Sequence, residues 1–306
     1  MSKNVFIFPG QGSQKIGMGQ DFYNNHPLAK EMIDKASERL NLDFTKLLFE
    51  QNDQLELTEF TQPAILLVSL VAHALFTQQY EKRPMMTMGH SLGEFSALSS
   101  VGAIDYLDAV ELVHKRGLFM KDACENINAG MMALIGLSDE KVEEIISAQK
   151  GKQVWPANYN CDGQLVVAGD KDDLISMEAI FKEAGAKRAL LLNMSVASHC
   201  PLLKSAIEPL EVYLEKYLKD SFLAPVVSNV TASLYSSKNE ALDVLSRQLI
   251  SPVKYKQSVL HVEGESDSFV EFGATVLKGL NRRSTKKPTH CVTDMASLEK
   301  VLSDLS

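Results

Sequence analysis

The stretch Met85-Met86-Thr87-Met88-Gly89-His90-Ser91-Leu92-Gly93-Glu94 decides how the rest of the chain is read. A short apolar run ends in Gly89-His90-Ser91-Leu92-Gly93, and a helical pattern follows, carried by Phe95, Ala97 and Leu98. The order is strand, sharp turn, helix, with a serine at the apex. Glycine two residues either side of a serine, in that setting, is the pattern of a nucleophile elbow. The glycines have a steric task, because side chains at 89 and 93 would collide across so tight a turn. The helix that starts behind Ser91 turns its backbone N–H groups and the positive end of its dipole toward the site. Without the flanking strand and helix, the same letters would mark an ordinary glycine-rich turn.

The chain has 306 residues, 45% hydrophobic and 23% charged, which fits a globular protein with a substantial core. A net charge of −8 argues against a nucleic-acid binder and against an anionic membrane surface. Cys124, Cys161, Cys200 and Cys291 are widely spaced, with no C-x-x-C pair and no metal-ligand spacing to the histidines. They read as reduced thiols in a reducing, cytoplasmic compartment. The apolar stretch from Ala64 to Phe76 is too short to span a bilayer and reads as a buried helix.

Working outward, Val5 to Phe8 is a continuous apolar run ended by Pro9-Gly10 and reads as a central parallel strand. Gly10-Gln11-Gly12-Ser13-Gln14 lacks the third glycine of a dinucleotide fingerprint, since Lys15 stands there. As the loop after the first strand, it is expected at the sheet edge where Ser91 emerges. Helices are expected at 28–40, at 61–79 with Pro63 in the first turn, and at 105–120, where Arg116 flanks an apolar stripe. Periodicity alone leaves that arginine equally readable as a solvent-reaching side chain.

From Met131 the pattern changes. A strand at 131–136, a helix at 139–149 capped by Ser138, strands at 153–158 and 164–169 around Asp162-Gly163, a helix at 172–184 stopped by Gly185, and a strand at 187–192 follow one another. That β-α-β-β-α-β order is the ferredoxin-like unit. The expected fold is α/β. A doubly wound, mostly parallel sheet formed by residues 1–127 and 196–306 carries an inserted ferredoxin-like subdomain at 128–195. Later elements are a helix to about Lys219, a strand at 226–230, a helix at 242–250, and strands at 269–272 and 290–292.

A serine hydroxyl needs a neighbouring base. A hydrolase-type order would favour His261 or His290, whereas His199 sits in a loop beside Pro201, and spacing prefers His199 only narrowly. His90, inside the elbow, is expected to point away from Ser91. No convincing acid for a triad stands out between the elbow and the base.

Several further motifs occur in order along nearly the whole chain. They are Phe8-Pro9-Gly10-Gln11-Gly12-Ser13-Gln14, Arg116-Gly117 followed by Met120, Asn158-Tyr159-Asn160, Val196-Ala197-Ser198-His199, and Arg247-Gln248-Leu249 before Pro252-Val253. With the elbow, they make the sequence resemble the malonyl-CoA:acyl carrier protein transacylases, the discrete acyltransferases of fatty-acid synthesis. The resemblance implies an α/β-hydrolase-like core with a ferredoxin-like insertion. It implies Ser91 as acylated nucleophile and His199 as its base. Backbone N–H groups of Gln11 and Leu92 would form the oxyanion hole, and the Gln248 carbonyl would orient His199 in place of an acid. Arg116 would hold the malonyl carboxylate, with Met120 and Asn160 also lining the substrate site. A guanidinium can grip a carboxylate bidentately, which would explain a preference for a carboxylated acyl group.

Malonyl-CoA and acyl carrier protein are then the expected partners, with coenzyme A arriving as a thioester substrate, no further cofactor, no metal, and a monomeric enzyme. A serine hydrolase or thioesterase of related fold is the alternative. Gly273-Ala274-Thr275 departs from the Gly-Pro-Gly often found in these enzymes, which bears on local loop shape.

Overall fold

The computed structural model describes residues 3–194 and 196–305. The first strand, β1 (Asn4–Phe8), is buried along its whole length. Its side chains alternate between two faces, as a strand requires. Phe6 and Phe8 join the larger core with Phe76, Phe95 and Phe272, while Val5 and Ile7 pack with Met86, Met88, Tyr255, Val259 and Leu277. Helices therefore cover both faces of the sheet that contains β1.

The other strands of that sheet are β2 (Met86–Gly89), β7 (Val226–Val227), β8 (Leu234–Tyr235), β9 (Ser268–Phe272) and β10 (Thr289–Val292). Their order is β10-β9-β1-β2-β7-β8. Every pairing is parallel except β7 with β8. β1 pairs Phe8 with Gly89, so the Gly10 loop and the elbow leave the sheet side by side.

The second sheet contains β3 (Ala129–Ile135), β4 (Val154–Cys161), β5 (Gln164–Asp170) and β6 (Arg188–Leu191), in the order β4-β5-β3-β6 and antiparallel throughout. Helices Asp139–Ala148 and Lys171–Glu183 complete the β-α-β-β-α-β order. Ser138 caps the first of these from its side chain, and Gly163 and Gly185 take the left-handed conformations expected of them. β4 of the second sheet is tied to the segment between helices Lys238–Gln248 and Tyr255–Glu263: Val253 N donates to Ala157 O at 2.8 Å and Tyr159 N donates to Val253 O at 2.9 Å.

Several expectations need correction. The long apolar helix runs Thr58–Thr77, so Pro63 lies in its second turn. The carbonyl of Glu59, deprived of an N–H by that proline, accepts instead from His114 Nδ1 at 2.7 Å. This helix is 20 residues long and apolar enough by length and composition to cross a membrane, but it is buried among the other core elements. The strand at 226–230 ends at Val227, because the chain turns at Ser228 to Ala232 and returns antiparallel as β8. The helix toward Lys219 is a short 3-10 segment, Pro201–Ala206, followed by an α-helix, Ile207–Tyr217. Helices Gln20–Asn25, Phe44–Phe49, Tyr255–Glu263, Val276–Ser284 and Met295–Leu305 fall outside the expected elements, although Val276–Ser284 and Met295–Leu305 are clearly amphipathic.

Candidate active site

The elbow is built as its glycines suggest. Ser91 has φ 53, a left-handed conformation uncommon outside glycine. A Cβ on Gly89 would lie 1.9 Å from the Gly93 carbonyl carbon, and one on Gly93 would lie 2.0 Å from the Phe8 carbonyl oxygen. β1, β2 and the following helix (Gly93–Ser100) can meet this closely only without side chains there. Gly10 belongs to the same junction, since its Cβ would come within 2.3 Å of the His90 carbonyl oxygen.

Ser91 Oγ lies 2.7 Å from His199 Nε2. His199 Nδ1 lies 2.9 Å from the Gln248 carbonyl oxygen. A carbonyl can only accept, so Nδ1 carries the proton and Nε2 is left to accept from the serine. His199 is 2% exposed and also left-handed, with φ 63. Burial, then the positive charge of Arg116, pull its pKa down to about 3, which keeps the imidazole neutral.

The rival histidines are elsewhere. His261 lies on an exposed face of helix Tyr255–Glu263, and His290 faces Asp304 at 3.4 Å. His73 packs edge-on against Phe6 and Phe272, and His26 caps a helix. His90 does turn away from Ser91: its Nε2 meets Asn160 Oδ1 at 2.8 Å.

Arg116 does not reach solvent. It is 1% exposed on helix Tyr106–Cys124, with its guanidinium over the Phe95 ring. Nη1 donates to Gln62 Oε1 at 2.7 Å, and Nη2 donates to Gln248 Oε1 at 3.0 Å and to Ser91 Oγ at 3.3 Å. Nε is buried without a hydrogen-bond partner among the described residues. Burial lowers the pKa to about 10, so the side chain remains a cation.

Between the two sheets lies a cavity of about 140 Å³. Ser91, His199, Arg116, Gln11, Leu92, Met120 and Asn160 all line it, with apolar walls from Met131, Val166 and Leu192. Every side chain that the resemblance implicates therefore converges here except that of Gln248, which stands behind Arg116 and His199. Among the described residues, no acceptor faces the backbone N–H of Gln11 or Leu92. Both residues line the same cavity as Ser91.

Sequence reasoning missed four buried participants. Gln62 donates to Thr58 Oγ1 and Met120 Sδ while its carbonyl oxygen holds Arg116. Asn229 accepts from Ser91 N at 2.6 Å and donates to Gly89 O at 2.7 Å, bracing the elbow. Glu94, fully buried, accepts from Gln248 Nε2, Asn229 N and Tyr235 OH. Gln62 and Glu94 stand among apolar neighbours in helical stretches, and that was the available signal. Nothing in the sequence singles out Asn229 or Tyr235. Ser195, adjacent to the His199 motif, lies outside the described residues.

No described group of three or more His, Cys, Asp or Glu side chains could hold a metal ion. All four cysteines are free thiols. Burial raises the pKa of Cys124, and raises those of Cys200 and Cys291 to about 12, so these thiols stay protonated and are poor nucleophiles.

The sequence matches the acyl transferase domain over residues 5–299. It is 40% identical over 287 residues to the malonyl CoA-acyl carrier protein transacylase of Escherichia coli (strain K12), covering 92% of this chain and 93% of that one. The fold superposes on the crystal structure of malonyl-CoA:acyl carrier protein transacylase from Helicobacter pylori with a TM-score of 0.97 and 45% identity, covering 100% and 99% of the two chains. It also matches a malonyl-transacylase solved in complex with its type II PKS acyl-carrier protein, with a TM-score of 0.95 and 36% identity over 99% of this chain and 100% of that one.

Proposed function

The chain belongs to the malonyl CoA-acyl carrier protein transacylases, and on that premise we propose that it carries malonyl from coenzyme A to the phosphopantetheine thiol of an acyl carrier protein for fatty-acid elongation. The observation that carries this reading is a buried arginine 3.3 Å from the hydroxyl of a serine–histidine pair. A malonyl carboxylate stands one methylene from its thioester carbon. An acyl group bound at Ser91 would therefore bring its carboxylate to Arg116.

The chemistry follows from the geometry. Ser91 Oγ attacks the thioester carbon as its proton passes to His199 Nε2. The carbonyl oxygen becomes an oxyanion that accepts from the N–H groups of Gln11 and Leu92, and one such donor is worth ~3 kcal/mol. Collapse expels the thiolate of coenzyme A, which takes the proton from His199, and malonyl remains esterified to Ser91. The carrier thiol then gives its proton to His199, attacks the ester, and leaves as malonyl thioester while Ser91 recovers its proton. The Gln248 carbonyl holds the imidazole in the tautomer both halves need.

Asn160 has its carbonyl oxygen turned to His90, which frees its amide N–H groups for the substrate, and Met120 supplies an apolar wall. Each step uses side chains and backbone alone, so no metal or further cofactor is required. We read the large sheet as an α/β-hydrolase-like core spanning 1–127 and 196–306. The second sheet, in order β4-β5-β3-β6, is read as a ferredoxin-like subdomain at 128–195. A reducing, cytoplasmic compartment fits the four free thiols, and we read the enzyme as a monomer.

The test is intact-mass analysis after mixing with malonyl-CoA alone, followed by addition of carrier protein. One malonyl mass should appear and then leave to the carrier far faster than to water. Hydrolysis outrunning transfer would make the protein a thioesterase.

A further inference from the structure

Behind the proposed site, Gln248 presents three faces to three partners. Its backbone carbonyl accepts from His199, its side-chain oxygen accepts from Arg116 Nη2, and its side-chain nitrogen donates to Ser91 O at 3.2 Å and to Glu94 Oε2 at 2.7 Å. A primary amide has two orientations that differ by a half-turn. Turned over, Gln248 would aim its NH2 at the guanidinium, donor against donor, and Arg116 would lose the contact. What opposes that turn is the pair of acceptors on the far side, Ser91 O and the closer Glu94 carboxylate.

The carboxylate is itself held rigidly. Its second oxygen takes the Tyr235 hydroxyl at 3.0 Å, and Oε2 also takes the Asn229 N–H at 3.1 Å. Glu94 is 0% exposed and lies outside the cavity lining, so it does not meet the substrate.

We propose that Glu94 is a positioning residue for selectivity: by fixing the amide of Gln248, it holds the Arg116 guanidinium in the orientation that receives the acyl carboxylate. This rests on the reading of Arg116 as the carboxylate anchor. Burial raises the Glu94 pKa to about 7 against the bonds from Gln248, Asn229 and Tyr235 and the charge of Arg116, all of which favour ionisation. Keeping a carboxyl in such a place is costly, and a purely apolar packing role would not require one.

Two variants separate position from structure. Glu94→Gln keeps the shape, one oxygen to accept from Gln248 and Asn229, and an NH2 that can donate to the Tyr235 oxygen. Glu94→Ala removes the closer, charged acceptor and leaves the amide held only by the longer bond to Ser91 O. The readout is the ratio of malonyl to acetyl kcat/KM, with KM and kcat resolved. Glu94→Ala should lower the ratio by about tenfold to a hundredfold, the span of one lost hydrogen bond to a charged group. The loss should sit mainly in the KM for malonyl-CoA. Glu94→Gln should stay within about threefold of wild type, a difference of under one kcal/mol.

Gln248→Met, which keeps the backbone carbonyl for His199, should lower the ratio as Glu94→Ala does. Adding Glu94→Ala to Gln248→Met should lower it no further. The proposal is overturned if Glu94→Ala leaves the ratio unchanged, if Glu94→Gln falls as far as Glu94→Ala, or if the double variant shows the two losses multiplied. Arg116→Ala run in parallel distinguishes the failures. If it leaves the ratio untouched, the anchor reading itself is wrong. If it shifts the ratio while Glu94→Ala does not, only the role of Glu94 is.

Discussion

Replacing Arg116 by alanine tests the proposed selectivity where it is most exposed to refutation. The guanidinium spends three of its five N–H donors on Gln62, Gln248 and Ser91 Oγ, and Nε has no partner among the described residues. A carboxylate arriving in the cavity would meet a desolvated cation with unused donors. Removing one partner from such a pair costs on the order of 2–5 kcal/mol. At ~1.36 kcal/mol per decade, malonyl transfer should fall by a factor of tens to thousands. Acetyl carries no carboxylate and gains nothing from the cation, so its transfer should hold level or rise.

Lysine at 116 should rescue only in part, because an ammonium cannot reproduce the planar fork that grips a carboxylate bidentately. Arg116→Ala also leaves Gln62 Oε1 and Gln248 Oε1 without their donor, at about 1–3 kcal/mol of stability each. A melting curve must therefore accompany the kinetics, and acetyl transfer serves as the internal control for an intact Ser91–His199 pair. The assay is the ratio of malonyl to acetyl kcat/KM in Arg116→Ala against wild type. An equal fall for both donors would mean that Arg116 supports the architecture without choosing the acyl group.

Ser91→Ala should abolish the malonyl mass increment. Label that persists on Cys200 or Cys124 would contradict the protonated, buried state of those thiols. His199→Ala should slow acylation and deacylation together, because one base serves both halves; a larger effect from His261→Ala or His290→Ala in stopped-flow labelling would reassign the base. With His199 held at about 3, below the ordinary 6.5, its neutral, proton-accepting form persists as the pH falls. The labelling rate should thus stay level on acidification through about 6.5, and an acid limb at or above that value in wild type would show an unperturbed imidazole. Gly93→Ala drives a Cβ to 2.0 Å from the Phe8 carbonyl oxygen, backbone against backbone, and should cost about 3 kcal/mol in a denaturant titration; an unchanged midpoint would mean that the β1–helix contact is looser than it stands.

How far the sequence carries depends on the range of each interaction. The elbow was legible because its strand, glycines and helix are contiguous, and the β-α-β-β-α-β run because its periods change locally. Arg116 and His199 could be named, but periodicity left one ambiguous and spacing barely favoured the other. Their partners lie far along the chain: Gln248 is 132 residues from Arg116 and 49 from His199. The missing acid has a simple explanation, since a carbonyl takes its place and any residue type could have supplied one. Glu94 stood in the quoted elbow itself, but its meaning comes from Asn229, Tyr235 and Gln248, at least 135 positions away. Helix Val276–Ser284 is amphipathic but only 9 residues long, and its start is capped from a distance, by the Glu271 carboxylate that accepts from Leu277 N and Lys278 N.

On the proposed function, the substitution of a carbonyl for a triad acid has an electrostatic reason. A buried aspartate behind His199 would lie close to Arg116 and compete for it with the substrate carboxylate. The Gln248 carbonyl fixes the same tautomer with no net charge, so the cation keeps unused capacity for malonyl. The one carboxylate in the network, Glu94, stands an amide away from the guanidinium: it attracts the charge from there, but its hydrogen-bond link to Arg116 runs through Gln248. Base and anion anchor are thereby fastened to one residue, at the end of helix Lys238–Gln248, and that residue's nitrogen also grips the elbow at Ser91 O. The strain sits where this clamp is strongest. Of the described non-glycine residues, only Asn41, Ser91, His199 and Ala232 have positive φ, and two of those four are the reacting pair. Each such backbone costs on the order of 1–3 kcal/mol and persists only where its surroundings over-determine it. Here they do so through the glycine contacts around Ser91 and the Gln248 carbonyl on His199, so the hydroxyl and the imidazole are held 2.7 Å apart before any substrate arrives.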